Sequence, residues 1–185
     1  LYTDKLLPLI KEIFVGYEED ESIEKLIANK LISNNSTISF AESFTGGKIS
    51  DSLVSVPGAS SFFKGSIVCY STPSKVNNLS IKMDLIDKYS VVSKEVVESM
   101  ALNVKKMFSS DYSLATTGNA GPTKGDSNKE IGTVYIGIAT PEKVFSFEFN
   151  FGNSRERVTR KSVNKSFELL LKELLKNWHI IFVIY

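Results

Sequence analysis

Residues 37–54 read TISFAESFTGGKISDSLV, and this stretch decides the fold class. Its first residues, Thr37 to Phe40, predict a short buried strand. The strand leads directly into a loop of small and polar residues at 41–47, and residues 48–54 have helical character. A strand that passes straight into a helix is the building unit of layered α/β domains.

The remaining elements continue this alternation. Ser22 is suited to cap a helix that runs through Leu31, because serine oxygens accept hydrogen bonds from the first free amides of a helix. Further strands are predicted at 66–70, 112–116, 132–139 and 144–151, and further helices at 91–108 and 155–175. The last two strands form a hairpin across the turn at 140–143. This order predicts a layered α/β sandwich with a mixed sheet.

The composition excludes several classes of function. The 185 residues suit one domain of ordinary size, with 42% hydrophobic and 23% charged residues. A net charge of +1 provides no field to recruit nucleic acid or an anionic membrane. No apolar run reaches the ~18 residues of a membrane-spanning helix. The chain begins at Leu1 without a secretory signal, so we expect a fragment of a cytoplasmic protein.

Histidine and cysteine are almost absent, which restricts the chemistry. With one cysteine, Cys69, the chain has no disulfide framework and no four-thiolate metal site. With one histidine, His179 near the end, it has no site built on several histidines, and a Ser-His-Asp triad would have to use that residue. We therefore expect no metal and no cofactor. Cys69 lies in an apolar strand and is interpreted as a buried filler rather than a nucleophile.

Ligands of open α/β sheets bind where strands lead into helix N-termini, which points to segments 41–47, 70–75 and 116–132. In the first, Ser43 stands at a strand-to-helix corner, and Gly46 and Gly47 allow close backbone approach. Free N–H groups at the start of the next helix can stabilise an oxyanion or bind a phosphate. The alternative is that Ser43 or Thr45 only caps that helix.

The second segment offers a base for Ser43. A neutral lysine can accept the proton of a serine, and burial lowers the pKa of a lysine toward that state. Lys75 is suited to this role, and Tyr70 is suited to relay or orient the proton. The alternative is an ordinary solvated lysine, so the hypothesis requires Ser43, Tyr70 and Lys75 to meet in space.

The third segment, 116–126, reads TTGNAGPTKGD and is rich in glycine and small polar residues. Such a loop can line a ligand site with backbone amides. It has neither the Walker A spacing nor that of a dinucleotide fingerprint. An ordinary surface loop is the alternative.

Seven motifs together carry a family resemblance. They are AESFTGG at 41–47, VPGAS at 56–60, Tyr70-Ser71 with Lys75, Val92-Ser93, Met100-Ala101, TGNAGP at 117–122 and GTVY at 132–135. In this order and spacing, residues from about Ile23 to Leu175 resemble the C-terminal domain of the competence/damage-inducible CinA family, which includes nicotinamide mononucleotide deamidases.

The resemblance implies a three-layer α/β/α sandwich that hydrolyses the carboxamide of nicotinamide mononucleotide to nicotinate mononucleotide and ammonia, a step of pyridine-nucleotide salvage. The family's serine, lysine and tyrosine fall on Ser43, Lys75 and Tyr70. We expect N–H groups around Thr45, Gly46 and Gly47 to hold the oxyanion.

The rest of the nucleotide has its own expected contacts. They are the loop residues Thr117, Gly118, Ala120 and Gly121, the helix start at Thr45, and Arg155 for the phosphate charge.

Two positions depart from the family pattern. Phe44 stands where the family commonly has cysteine, and Glu130 where proline usually precedes the next strand. Phe44 is adjacent to the nucleophile and is expected to reshape the pocket.

Three regions are expected along the chain: a helical lead-in at 1–22, the CinA C-terminal-like amidase domain at 23–176 and an apolar tail at 177–185. The lead-in resembles the connection that follows the N-terminal, molybdopterin-binding-like pyrophosphatase domain of two-domain CinA proteins. We expect a nucleotide substrate, a homodimer, and no nucleic-acid or membrane partner.

Two other functions stay open. One is a non-catalytic nucleotide-binding or interaction domain linked to competence or DNA damage, in which Ser43 only caps its helix. The other is an amidase for a different nucleotide or small amide. The distance between the Ser43 hydroxyl and the Lys75 amine discriminates the enzyme from the binding domain.

Overall fold

The computed structural model describes residues 22–176, so the lead-in at 1–21, the tail at 177–185 and His179 lie outside the described residues. The elements in chain order are α1 (Ile23–Ser33), β1 (Ile38–Glu42), α2 (Lys48–Val54), β2 (Phe63–Val68), α3 (Thr72–Leu79), α4 (Met83–Tyr89), α5 (Lys94–Phe108), β3 (Tyr112–Gly118), β4 (Thr133–Ala139), β5 (Val144–Asn150) and α6 (Arg155–Lys176). A short 3₁₀ turn, Ala59–Ser61, precedes β2.

The five strands form one mixed sheet in the order β2-β1-β3-β4-β5. The first three strands in this order are parallel, and Ala41 in the middle strand lies opposite Ile67 of β2 and Ala115 of β3. β4 and β5 form the expected antiparallel hairpin. Because β1, β2 and β3 are parallel, the loops that follow them leave the sheet at the same edge.

Each face of the sheet is covered by helices. On one face, Phe40, Leu114 and Ile136 belong to a core cluster that includes residues of α1, α2 and α6. On the other face, Ala41 and Ala115 join a cluster formed with α3, α4 and α5. Alternate residues of a strand point to opposite faces, so each buried strand supplies both clusters. The expected three-layer α/β/α sandwich is confirmed.

Small side chains let α5 approach the sheet closely. Ser113 of β3 donates to the Ala101 carbonyl at 2.6 Å, and Ser39 of β1 donates to the Val104 carbonyl at 3.3 Å. At Gly137 of β4, an added Cβ would lie 2.9 Å from a backbone oxygen of α5. Hydrogen bonds therefore satisfy the hydroxyl groups that this interface buries.

Most predicted boundaries are correct to within a few residues. Ser22 caps α1 as expected and accepts from the Lys25 amide at 3.3 Å. The strand predicted at 66–70 occupies 63–68 instead, and the helix predicted to begin at 91 begins at 94, after the cap residue Ser93. Helices α3 and α4 were not predicted. In α3 the buried positions are Lys75 and Leu79, so the segment has no apolar repeat that could reveal a helix.

Candidate active site

A cavity of about 330 Å³ lies at the edge of the sheet where β1, β2 and β3 end. Its walls come from residues 43–44, 70–72 with Lys75, 91–92, 117–121 with 123–126, and Arg155. The three segments expected from the sequence therefore do meet at one site.

Ser43 and Lys75 are in direct contact in this cavity. The Lys75 Nζ lies 2.9 Å from the Ser43 Oγ, within hydrogen-bond distance. The same nitrogen donates to the backbone carbonyl oxygens of Cys69 at 2.8 Å and Tyr70 at 3.1 Å. Lys75 is only 2% exposed and Ser43 only 6%. α3 carries the lysine inward, and the loop after β1 carries the serine toward it.

The surroundings of Lys75 favour its neutral form. Burial lowers the pKa of its amine from 10.5 to about 8, although the negative charges that Cys69 and Asp126 can carry act in the opposite direction. A neutral amine keeps two N–H groups and one lone pair. With the carbonyls of Cys69 and Tyr70 accepting the two N–H groups, the lone pair remains for the proton of Ser43.

Tyr70 contacts the site differently from the expectation. Its hydroxyl accepts a hydrogen bond from Arg155 Nη2 at 2.7 Å, and its side chain is 58% exposed. Among the described residues, no hydrogen bond joins this hydroxyl to Ser43 or Lys75. The contact with Lys75 is made by the Tyr70 backbone oxygen instead. Arg155 also donates to the Gly121 carbonyl at 2.9 Å, so it links two walls of the cavity mouth.

Glu42 supports the serine loop and was missed by sequence reasoning. Its carboxylate is fully buried and accepts from the amides of Gly47, Ile49 and Ser50 at 2.9–3.2 Å, and from the Ser50 hydroxyl at 2.6 Å. A carboxylate at this position satisfies the free amides at the start of α2. A glutamate between a buried strand and a glycine-led helix is the signal that could have revealed it.

Two of the three amides expected to hold an oxyanion, those of Gly46 and Gly47, are occupied within the protein. The Gly46 N–H donates to the Ser43 carbonyl at 3.1 Å, and the Gly47 N–H donates to Glu42. Thr45 is buried, with its hydroxyl 2.8 Å from that of Thr116. None of these three predicted residues lines the cavity.

The same loop decides the capping alternative. Gly47, with a φ of 93°, is the N-cap of α2 and makes no side-chain cap. Neither Ser43 nor Thr45 caps the helix, so the capping interpretation is wrong. Within residues 22–176, the backbone N–H groups of Phe44 and Thr45 have no hydrogen-bond acceptor.

The loop after β3 forms the opposite wall. Thr117, Gly118, Ala120 and Gly121 all line the cavity, as expected for substrate contacts. Phe44 packs closely over this wall, because a Cβ added to Gly118 would lie 3.0 Å from the Phe44 ring. Phe44 thus supplies an apolar surface beside the nucleophile. The other departure from the family pattern, Glu130, pairs with Lys124 at 2.7 Å.

Cys69 does not compete as a nucleophile. Its side chain is completely buried, and burial is the largest influence on its thiol, so its pKa is raised from 9.0. A thiol with a raised pKa is mostly protonated near neutral pH, and only the thiolate is strongly nucleophilic.

Comparison with known proteins places this site in a family. The family model described as the CinA C-terminal domain matches residues 20–174. The chain belongs to the CinA C-terminal domain family. A CinA-like protein of Flavobacterium psychrophilum is 51% identical over 178 residues, which cover 96% of this chain and 43% of that protein. A putative competence-damage inducible protein of Clostridium botulinum is 38% identical over 156 residues, covering 84% and 38% of the two chains.

Solved CinA-superfamily structures share the fold. The competence or damage-inducible protein of Enterobacter asburiae aligns with a TM-score of 0.79 and 27% identity, over 84% of this chain and 99% of its own. A CinA-superfamily protein of Escherichia coli aligns with the same TM-score and identity, over 89% and 98%. This chain spans about two fifths of the length of the curated CinA-like relatives that it matches.

Residues 22–176 of this CinA domain contain no group of three or more His, Cys, Asp or Glu residues placed to hold a metal ion. None of their helices combines the length and apolar character that crossing a bilayer requires.

Proposed function

We propose that this CinA domain is a serine-lysine amidase that hydrolyses the carboxamide of nicotinamide mononucleotide to nicotinate mononucleotide and ammonia. The observation that carries the proposal is the 2.9 Å contact between the Ser43 hydroxyl and a buried lysine amine at a cavity wall. An ordinary lysine, whose amine is solvated or paired with a carboxylate at the surface, would not be buried in this way. The substrate itself comes from the family resemblance.

The first half of the reaction forms an acyl-enzyme. The neutral Lys75 amine accepts the Ser43 proton while Oγ bonds to the carboxamide carbon, and the amide oxygen becomes an oxyanion. The amides of Phe44 and Thr45 are the candidate oxyanion donors, because no acceptor occupies them among residues 22–176. Collapse of the intermediate breaks the carbon–nitrogen bond, and the Lys75 ammonium gives its proton to the departing amino group, which leaves as ammonia.

The second half releases the acid. Water gives a proton to Lys75 and attacks the acyl carbon. The bond to Ser43 Oγ then breaks, and Oγ regains its proton from Lys75. Nicotinate mononucleotide and free enzyme remain, with no net proton held by the site. The chemistry needs no cofactor, since the protein groups supply nucleophile and base.

The non-catalytic binding alternative is not favoured by this geometry. Ser43 does not cap α2, the helix that follows it. Burying the Lys75 amine beside the Ser43 hydroxyl opposes stability, as expected for a group kept for chemistry rather than structure. An amidase for another nucleotide or small amide keeps the same Ser43–Lys75 chemistry. Phe44, which shapes the cavity, is where such a difference in substrate would arise.

The wider setting is part of the proposal. Residues 23–176 would act as the catalytic unit, in cytoplasmic pyridine-nucleotide salvage, and would pair as a homodimer. The lengths of the CinA-like relatives support a second domain in the full protein. From the resemblance, that domain would be a molybdopterin-binding-like pyrophosphatase.

The test is ammonia release from nicotinamide mononucleotide by the parent and by Ser43→Ala and Lys75→Met. Loss of either reacting group should lower kcat by about 1,000-fold or more, because the nucleophile and its base act as one unit. The matched controls are Ser52→Ala, at a half-buried serine, and Lys64→Met, at an exposed lysine. Both residues lie outside the cavity, so both variants should keep the parental kcat.

Two results bear on the proposal beyond the rates. Hydroxylamine added during turnover should trap the acyl group, and mass spectrometry of the parent should locate a transient acyl adduct on Ser43. A folded parent that releases no ammonia from this nucleotide refutes the substrate assignment. An active Ser43→Ala variant refutes the nucleophile.

A further inference from the structure

The hydrogen bonds of Tyr70 and Arg155 connect three segments around the cavity mouth. Arg155, at the start of α6, donates from Nη2 to the Tyr70 hydroxyl and from Nη1 to the Gly121 carbonyl. We propose that the Tyr70 side chain is a positioning residue that aims Arg155 at the anionic group of the substrate, and that it takes no part in proton transfer. This inference rests on the proposed function and assigns a positioning role within that same site.

The chemistry at Ser43 does not require the Tyr70 hydroxyl. Lys75 reaches Ser43 directly at 2.9 Å, so no intermediary is needed between base and nucleophile. The two remaining contacts of the Lys75 amine are backbone oxygens, and the Tyr70 contribution is one of these. A phenylalanine at position 70 would retain that carbonyl and remove only the bond to Arg155.

Arg155 is suited to bind an anion because, in the described part of the chain, its charge has no acidic partner. Within residues 22–176 its hydrogen bonds go to a carbonyl and a phenol, and no carboxylate forms an ion pair with it. A guanidinium held by two neutral acceptors keeps its full charge and has further N–H groups free. Those groups can bind a phosphate in a bidentate manner.

The other cationic side chain at the cavity mouth, Lys124, is less suited to bind a phosphate. Lys124 also lines the cavity, but its amine pairs with Glu130 at 2.7 Å. Asp126 adds a negative charge to the same wall. Arg155 is therefore the positive group of this wall that is both fixed in position and uncompensated by a neighbouring carboxylate.

The experiment compares two substrates that differ only in the phosphate, nicotinamide mononucleotide and nicotinamide riboside. For Tyr70→Phe we expect KM for the mononucleotide to rise about 3- to 10-fold, with kcat within about 2-fold of parent. For Arg155→Gln, KM should rise about 10- to 100-fold. Neither change should affect the riboside, and the pH midpoint of kcat should be that of the parent. Tyr89→Phe and Arg160→Gln are the matched controls.

A large fall in kcat for both substrates in Tyr70→Phe, with a changed pH profile, would make Tyr70 a proton relay and overturn the inference. An unchanged KM for the mononucleotide would overturn it as well. Should the parent hydrolyse neither substrate, the proposed function fails, and calorimetry of both ligands on Ser43→Ala with and without Tyr70→Phe still decides the positioning role. Equal affinity of the two proteins for the mononucleotide then refutes it.

Discussion

Replacing Lys75 with methionine should change how the stability of the domain depends on pH. The amine has a pKa of about 8 in the folded protein and about 10.5 in the unfolded chain. Between these values the unfolded chain binds more protons, so this group makes the folded state more stable as pH rises. At about 1.36 kcal/mol per pKa unit, the full effect is about 3 kcal/mol, and roughly 2–3 kcal/mol of it develops between pH 7 and pH 10.

The assay is urea unfolding followed by circular dichroism at several pH values from 7 to 10, on the parent, Lys75→Met and Lys64→Met. Groups that do not face Lys75 titrate alike in all three proteins, so the difference between parent and Lys75→Met reports the lysine together with its coupling to the Cys69 thiol. Over this range the parent should gain roughly 2–3 kcal/mol relative to Lys75→Met. Relative to Lys64→Met, which replaces an exposed lysine, it should change by less than about 0.5 kcal/mol.

The stability difference at a single pH is not the test. Methionine removes a buried charge but leaves the carbonyls of Cys69 and Tyr70 without the donor they have in the parent. The lost hydrogen bonds lower the stability of the variant by about the same amount at every pH, whereas removal of the charge raises it only where the Lys75 amine of the parent is protonated. A difference between parent and Lys75→Met that stays constant from pH 7 to pH 10 would refute the reasoning, because the amine would then keep its ordinary pKa and could not serve as a neutral base.

Three other predictions concern the rate and the walls of the site. The kcat/KM for ammonia release should rise with pH and reach half of its maximum near pH 8, since only the neutral Lys75 accepts a proton. A profile that is flat from pH 6 to pH 9 would contradict this. Glu42→Gln should lower the free energy of unfolding by about 2–4 kcal/mol, because its amide nitrogen would face backbone N–H donors, whereas the exposed Glu156→Gln should cost less than about 0.5 kcal/mol; equal urea midpoints would contradict the assigned role. Gly118→Ala should lower the free energy of unfolding, followed by thermal unfolding, by about 1–3 kcal/mol and should raise KM. The new Cβ would lie 3.0 Å from the Phe44 ring and 2.7 Å from a side-chain carbon of Val134. A variant with parental stability and parental KM would contradict this prediction.

Much of the site could be predicted because strand, loop and helix follow one another closely in the sequence. The strand before Ser43 has to be buried, and its loop has to emerge where parallel strands end. The same rule predicted that Lys75 and the loop at 117–121 would lie at this edge of the sheet, and both line the cavity. The nearly complete lack of histidine then favoured lysine as the base.

Other features could not be predicted because they depend on which way a side chain turns. Tyr70 follows β2 by two residues, and its backbone faces Lys75 while its ring reaches across to Arg155. Glu42 is an ordinary charged residue in sequence, and only folding shows that three amides and a hydroxyl surround it. Sequence order suggested free amides at Gly46 and Gly47, but in the fold the first donates to the Ser43 carbonyl and the second to the Glu42 carboxylate.

The sequence alone determined the α/β class and the residue types available for catalysis, because the spacing of apolar residues and the list of side chains are local properties. The tertiary structure decided that Lys75 is desolvated and 2.9 Å from Ser43. It also decided that Tyr70 turns to Arg155. Burial and hydrogen-bond geometry arise from segments far apart in the chain, and these set both the pKa of the lysine and the direction of its lone pair.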